Sequence, residues 1–128
     1  FRYNTQVSSI GFCGTFYGCT GLTGAIPADL FRYNTACTSF NSVFRNCNKL
    51  QLRSDIFFQP GEESTRFLNK SVDFTNAFNI STFTGTQGTA PALWNCNFGT
   101  ETPAKTTCFS GHSLSSVTNF ADIPVAWK

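Results

Sequence analysis

An identical pentapeptide that occurs twice constrains the fold of this chain more than any other feature. Phe-Arg-Tyr-Asn-Thr occupies residues 1–5 and returns at residues 31–35. Each copy is followed by the spacing Phe-x-x-Cys-x-x-Leu, which begins at Phe16 in the first case and at Phe44 in the second. Such a recurrence within 128 residues indicates a duplicated structural unit, since chance rarely repeats both a segment and its downstream spacing. The sequence therefore predicts stacked repeats.

The same pattern divides the chain into four units of unequal regularity. The units cover residues 1–31, 32–57, 58–94 and 95–128. The first two match closely, the third is degenerate, and the fourth closes on Ile-Pro-Val-Ala-Trp at residues 123–127. We expect one repeat domain over residues 1–128. Because the chain lacks methionine and starts in mid-repeat, we also expect it to be the C-terminal part of a longer protein.

Each of the first two units is predicted to contain a short helical segment. In the first unit, Val7, Ile10 and Phe16 loosely follow the three-to-four-residue spacing of an amphipathic helix. Helical turns are expected to follow Asn4-Thr5 and Asn34-Thr35, because Asn and Thr side chains cap the free amide groups at a helix start.

Each of these units also carries an apolar segment suited to a short strand. The segments are Leu22–Ile26 in the first unit and Leu50–Leu52 in the second. Neighbouring units would pair such strands in parallel, about 4.8 Å apart, with a phenylalanine-rich core behind them. The expected stacks at equivalent positions are Phe16, Phe44 and Phe78, and Leu22 with Leu50.

The repeat pattern resembles a known family. Phe-x-x-Cys-x-x-Leu followed by Ile-Pro-x-x-Leu-Phe resembles leucine-rich repeats of the BspA-like type, especially the divergent versions encoded by phages and prophages. Their units tend to read Phe-x-x-Asn-Thr-x-Val-Thr-x-Phe, here residues 31–40, and their chains tend to close on Ala-Asp-Ile-Pro-x-x-Trp-Lys, here residues 121–128. The resemblance implies an α/β fold, a leucine-rich-repeat-like right-handed solenoid with a short parallel sheet and short helical segments. It also implies a surface-exposed binding or structural module without catalysis or a cofactor.

Composition argues against several functional classes. A net charge of +2 is too small to indicate a nucleic-acid-binding surface, and no apolar run is long enough to cross a bilayer. The sequence has neither a phosphate-binding loop nor a nucleophile elbow, and no pair of acids suggests a glycosidase. His112 is the only histidine and is interpreted as a loop residue, so no catalytic residue, metal site or cofactor is expected.

The cysteines allow two interpretations. Six of them in 128 residues would suit the disulfide framework of a secreted protein. Cys19 and Cys47, however, occupy the same position of two repeats, which favours buried thiols facing the core. Cys96 and Cys108 share the last unit and form the pair best suited to a disulfide bond. The chain lacks Cys-x-x-Cys, so a zinc site is not predicted.

The favoured hypothesis is a non-enzymatic module on a phage virion, associated with the tail or capsid, that binds a glycan or protein receptor on the host surface. The alternatives are a structural assembly or decoration repeat between neighbouring virion subunits and a bacterial cell-surface adhesin. Each places the protein outside the cell. Repeat proteins usually bind across several units, so the candidate binding residues are Thr23, Gln51 and Arg53, together with loops 59–66 and 99–107. At the N-terminal end, Val7, Ile10 and Phe12 are expected to need a covering neighbour.

Overall fold

The computed structural model describes residues 1–128 and contains little regular secondary structure. Two strands of two residues each, β1 (Gly24–Ala25) and β2 (Leu50–Gln51), pair in parallel with Gly24 opposite Leu50. The short 3-10 helices are Leu93–Asn95, Phe120–Asp122 and Val125–Trp127. There is no α-helix. The predicted α/β right-handed solenoid of leucine-rich-repeat type is therefore wrong, because neither its helical layer nor its continuous sheet exists.

The segments predicted to be helical are chains of overlapping tight turns. In the first unit, the N–H groups of Thr15, Tyr17 and Cys19 donate to carbonyls three residues earlier, at distances of 3.0–3.3 Å. An α-helix would instead use carbonyls four residues earlier at every position. The same alternation recurs in the other units, where Val43, Ala77 and Cys108 donate to the residue three before them.

The intervening amides bind the next unit along the chain. Phe16 N–H donates to the Val43 carbonyl at 2.9 Å, Phe44 N–H to Ala77 at 2.8 Å, and Phe78 N–H to Cys108 at 2.9 Å. The amides two residues to either side of these phenylalanines make similar bonds in most units. Each turn-forming segment thus satisfies half its amides internally and half against its neighbour, which leaves few buried polar groups unpaired.

A left-handed residue recurs in every unit and prevents helix formation. Equivalent four-residue turns begin at Phe12, Phe40, Phe74 and Lys105. The third residue of each turn has a positive φ angle: Gly14 (63°), Ser42 (54°), Asn76 (56°) and Thr107 (53°). Gly18, Asn46 and Gly111 repeat this conformation four residues later in three of the units. Type II turns require a positive φ at this position, whereas a right-handed helix cannot contain such residues in series.

Phenylalanine columns form the core behind the turns. The ring centroids of Phe16 and Phe44 lie 5.0 Å apart, those of Phe44 and Phe78 5.9 Å, and those of Phe78 and Phe109 5.2 Å, with interplanar angles of 16° or less. The predicted stack of Phe16, Phe44 and Phe78 is therefore confirmed. A second column contains Phe12, Phe40 and Phe74.

The predicted stack of Leu22 on Leu50 is wrong, because the strands pair in a different register. Gly24 lies opposite Leu50, while Leu22 is 39% exposed. Phe31 nevertheless stacks on Phe57, with ring centroids 5.5 Å apart. Leu22 precedes Phe31 by nine residues, but Leu50 precedes Phe57 by only seven, so the two additional residues shift the register before the core realigns.

The asparagine predicted to cap a helix connects two units instead. Asn34 is fully buried, and its side-chain amide donates to the carbonyls of Phe1 (3.0 Å) and Asn4 (2.9 Å). The second copy of the pentapeptide therefore holds the first copy in place. Each of these carbonyls also accepts a backbone N–H within the first unit, so the Asn34 amide adds a second hydrogen bond to each of them.

All six cysteines are free thiols, so the disulfide considered for Cys96 and Cys108 is absent. Both of these residues are buried. Cys47 is buried as expected, and its thiol donates to the Phe16 carbonyl at 2.9 Å. Burial raises the pKa of Cys47 to about 11, which keeps this thiol protonated at neutral pH. Cys19 at the equivalent position is only partly buried.

Candidate binding grooves

A groove of about 270 Å³, here called the polar groove, contains two of the three predicted binding residues. Gln51 of β2 and Arg53 just beyond it line one side, and segments of the third and fourth units line the other. The polar side chains around it belong to Gln51, Arg53, Ser54, Asp55, Gln87, Thr89 and Thr118.

Backbone pairing around Gly88 brings the walls of the polar groove together. Thr89 N–H donates to the Leu52 carbonyl at 3.0 Å, and Gly88 N–H donates to Ser116 at 3.0 Å, while Thr118 N–H donates back to Gly88 at 2.8 Å. A Cβ atom at Gly88 would overlap the Leu52 backbone. Glycine is therefore required for this close approach of three chain segments.

The side chains of the polar groove form a nearly neutral set of donors and acceptors. Arg53 binds both carboxylate oxygens of Asp55, with Nε and Nη2 at 2.8 and 2.7 Å. This hydrogen-bonded ion pair holds the pKa of Asp55 below its usual value and raises that of Arg53. Gln51 Nε2 donates to the Gln87 carbonyl at 2.8 Å. The groove can thus both donate to and accept from a ligand hydroxyl without selecting a charge.

The third predicted residue, Thr23, lies in a different groove. It is exposed and lines an apolar depression of about 320 Å³ beside Leu22, Ile26 and Pro27. The shifted strand register explains this separation, because the pairing of Gly24 with Leu50 places Thr23 alongside Lys49 and away from Gln51. The structure therefore places Gln51 and Arg53 in one groove and Thr23 in another, and binding through any of the three stays a prediction.

The loop predicted over residues 59–66 is anchored to the second unit at both its middle and its end. Glu62 binds the Arg32 guanidinium through both carboxylate oxygens, at 3.0 and 2.6 Å. Arg66 is buried, and its guanidinium donates to the carbonyls of Phe57 and Asn34 in the second unit. The sequence prediction included Arg66 only as part of the loop 59–66 and did not include Lys70, and both residues line a second groove. Nothing in the sequence distinguishes a buried arginine from an exposed one in such a polar segment.

His112 lies in a loop, as predicted, but its side chain is buried in the folded interior. It is 8% exposed, and its Nε2 donates to the Phe78 carbonyl at 2.9 Å, which leaves Nδ1 to accept from Ser116 Oγ at 3.0 Å. Burial lowers the pKa of His112 to about 4, so the ring is neutral at pH 7. Ser116 is 1% exposed, and therefore this pair links the third and fourth units rather than presenting a nucleophile.

No group of three or more His, Cys, Asp or Glu side chains is arranged to hold a metal ion. No helix has the length and hydropathy needed to cross a bilayer. No family model, curated protein or solved structure gives a significant match to this chain.

Proposed function

We propose that the protein is a non-enzymatic binding module that recognises a host-surface glycan or protein receptor through the polar groove. The observation that carries this proposal is the arrangement of Gln51, Arg53 and Asp55 beside the third and fourth units. Repeat-built proteins commonly bind ligands across several units, because neighbouring units create one extended surface.

The chemistry of the polar groove favours a glycan among these ligands. Sugar hydroxyls donate and accept hydrogen bonds at the same time, and the groove offers amide, hydroxyl, guanidinium and carboxylate groups. The Arg53–Asp55 pair neutralises its own charge, so a neutral ligand loses no ion pair on binding. Thr89 and Thr118, whose hydroxyl oxygens lie 2.9 Å apart, add a further pair of donors and acceptors.

A location on a virion or cell surface belongs to the same proposal. It is supported by the resemblance of the repeat pattern to phage-encoded proteins and by a composition in which only 12% of residues are charged. The absence of catalysis is also proposed. The buried, neutral His112 has both ring nitrogens engaged, so it is unsuited to proton transfer with a ligand.

The test is binding of the purified chain to a glycan array and to host cells. We expect the double variant Gln51→Ala with Thr118→Ala to bind at least about tenfold more weakly, since each change removes a hydrogen-bonding group worth about 1 kcal/mol. Thr23→Ala is the matched control, because Thr23 is exposed but lies outside the polar groove. Equal loss in both proteins, or no loss in either, would contradict the assignment of this groove.

A second candidate function is assembly with neighbouring virion subunits. It is favoured by the N-terminal face, defined here as Phe1, Tyr3, Ile10 and Tyr17, whose exposed fractions are 42%, 90%, 80% and 53%. The carbonyls of Cys13, Thr15 and Tyr17 at this end accept no hydrogen bond, although the equivalent carbonyls of the second unit do. Exposed apolar side chains beside unpaired backbone acceptors favour docking of another chain segment.

A further inference from the structure

A second groove, here called the cationic groove, lies between the second and third units and has a volume of about 400 Å³. Its charged side chains are Arg32, Glu62, Arg66 and Lys70. Three cations and one carboxylate leave it with a formal charge of 3 − 1 = +2. Hydroxyl groups of Thr35 and Thr65 also line it.

Arg66 places an uncompensated charge at the wall of this groove. The residue is only 6% exposed and forms no salt bridge. Its Nε donates to the Phe57 carbonyl at 3.1 Å, and its Nη2 donates to Phe31 at 3.0 Å and Asn34 at 3.2 Å. Nη1 is buried and has no partner. Burial lowers the pKa of Arg66 to about 10, as expected for a cation that lacks a counter-ion.

Lys70 adds a second cation next to Arg66. Its ammonium group donates to the Thr35 carbonyl at 2.9 Å and the Arg66 carbonyl at 3.3 Å. Two of its three N–H groups are thus used, and one remains for a ligand. Burial and, secondly, the charge of Arg66 lower the pKa of Lys70. The two cations therefore repel each other across the groove.

The only carboxylate of the groove, that of Glu62, is already bound to Arg32. Both oxygens of Glu62 bind Arg32, and Oε2 also accepts the Gln59 N–H at 2.9 Å. Arg32 has a second acidic neighbour in Asp29, at 3.5 Å. Glu62 therefore compensates Arg32 and leaves Arg66 and Lys70 without a full counter-charge.

We propose that the cationic groove binds a small oxyanion, in the form of a carboxylate, sulfate or phosphate group. Half-buried Lys70 supplies a charged donor, the Thr35 hydroxyl supplies a neutral donor, and Arg66 supplies the buried charge. Oxyanions suit this set because charge-assisted hydrogen bonds are stronger than neutral ones. The site is separate from the polar groove, and its existence does not depend on receptor binding there. An acidic or sulfated sugar, a phosphorylated group and a free inorganic anion share this chemistry.

The experiment titrates the full chain at pH 7 with sodium sulfate, sodium phosphate and N-acetylneuraminic acid, at an ionic strength held constant with sodium chloride. Amide chemical shifts of residues 32–35 and 62–70 report the site, and the thermal midpoint reports stabilisation by a bound ligand. We expect saturable shifts confined to these segments with at least one anion. Saturation by neuraminate alone identifies an acidic-sugar carboxylate, and saturation by sulfate or phosphate identifies a tetrahedral oxyanion. Shifts no different from those in chloride alone, for all three probes, would overturn the proposal.

Two substitutions make the test specific. Lys70→Gln is expected to weaken binding at least about tenfold, as loss of a charge-assisted hydrogen bond does. Lys49→Gln is the matched control, because Lys49 is exposed and lies outside the groove, and it should bind like the original chain. Glu62→Gln removes the competing carboxylate and is expected to tighten binding. Equal affinities of Lys70→Gln and Lys49→Gln would show that the anions sense only the net charge, and the proposal would then be wrong.

Discussion

At the scale of single residues, backbone conformation is the main constraint on this fold. The same turn position is occupied by glycine, serine, asparagine and threonine in the four units, always with positive φ. Glycine adopts this conformation without strain and asparagine with little, whereas a β-branched residue such as Thr107 is disfavoured. Thr107 Oγ1 donates to Asn76 Oδ1 at 2.7 Å, a bond between neighbouring units that helps to retain it.

Two glycines provide a matched test of this conformational requirement. A Cβ atom would meet no neighbour within 4 Å at either Gly14 or Gly21, but only Gly14 has a positive φ, of 63°. We expect Gly14→Ala to reduce the free energy of unfolding by about 1–2 kcal/mol, the cost of a left-handed L-residue. Gly21→Ala should change it by less than about 0.5 kcal/mol. Urea titration measures both, and equal effects would exclude a role for the backbone angle.

Because His112 is buried, we expect the stability of the fold to depend on pH. Its pKa falls from 6.5 to about 4 on folding, so the unfolded chain binds more protons between these values. The stabilisation is complete above pH 6.5 and is lost as the pH falls towards 4, by about 3 kcal/mol in total. Denaturant titrations between pH 7 and 4 should show a steeper decline for the original chain than for His112→Gln. Parallel curves for the two proteins would contradict this assignment.

At the scale of elements, the repeated unit is a turn ladder with a phenylalanine behind it. The amides of Phe16, Phe44 and Phe78 bind the next unit while their rings stack on each other. Hydrogen bonding and aromatic packing therefore act on the same residues. Each unit depends on its neighbours for both, as expected for repeats that cannot bury their apolar faces alone.

The position of a phenylalanine within its column should determine its contribution to stability. Phe44 is 4% exposed and lies between two rings, so Phe44→Ala is expected to cost about 3–5 kcal/mol. Phe16 stands at the end of the column and is only partly buried, so Phe16→Ala should cost clearly less. Equilibrium denaturation of both variants measures the difference. A loss below about 1 kcal/mol for Phe44→Ala would mean that the column is not part of the stabilising core.

At the scale of the whole molecule, the two ends differ. The last turn-forming segment is covered, since Phe109 N–H donates to the Trp127 carbonyl at 2.8 Å and the Trp127 ring packs near Phe74. The N-terminal face has no such cover, and its aromatic side chains meet solvent. This asymmetry means that one end of the stack can accept a further segment.

We expect the chain to self-associate through the N-terminal face. Sedimentation should show oligomers at high concentration, and Ile10→Lys with Tyr17→Lys should shift the population to monomers by adding charge to an apolar contact. Val125→Lys is the control, because Val125 is 85% exposed but belongs to the C-terminal segment. A stable monomer of the original chain at high concentration, with residues 1–12 protected from hydrogen exchange, would show that this end needs no partner.

The repeat and the alignment of Phe16, Phe44 and Phe78 could be predicted from the sequence, because they follow from an identical pentapeptide and a constant spacing. The same residues do not distinguish a helix from a series of overlapping turns. Within residues 40–47 of the second unit the buried positions are Phe40, Val43, Phe44 and Cys47, and this spacing suits both structures. Gly14 and Gly18, with Asn46, Asn76 and Gly111 at equivalent positions, are residue types that favour left-handed turns, but serine and threonine occupy the same turn position in other units.

The features that depend on contacts between units could not be predicted from the sequence. Every second amide of a turn-forming segment donates to a carbonyl of the next unit and not to one in its own segment. Local sequence preferences cannot predict this hydrogen bond, because its acceptor lies in another part of the chain. The strand register pairs Gly24 with Leu50 because the first unit has two more residues than the second before the stacked pair of Phe31 and Phe57. This register also separates Thr23 from Gln51. Arg66 is buried because the carbonyls of Phe31, Asn34 and Phe57 surround its guanidinium, and the first two are brought to it from more than thirty residues away in the chain.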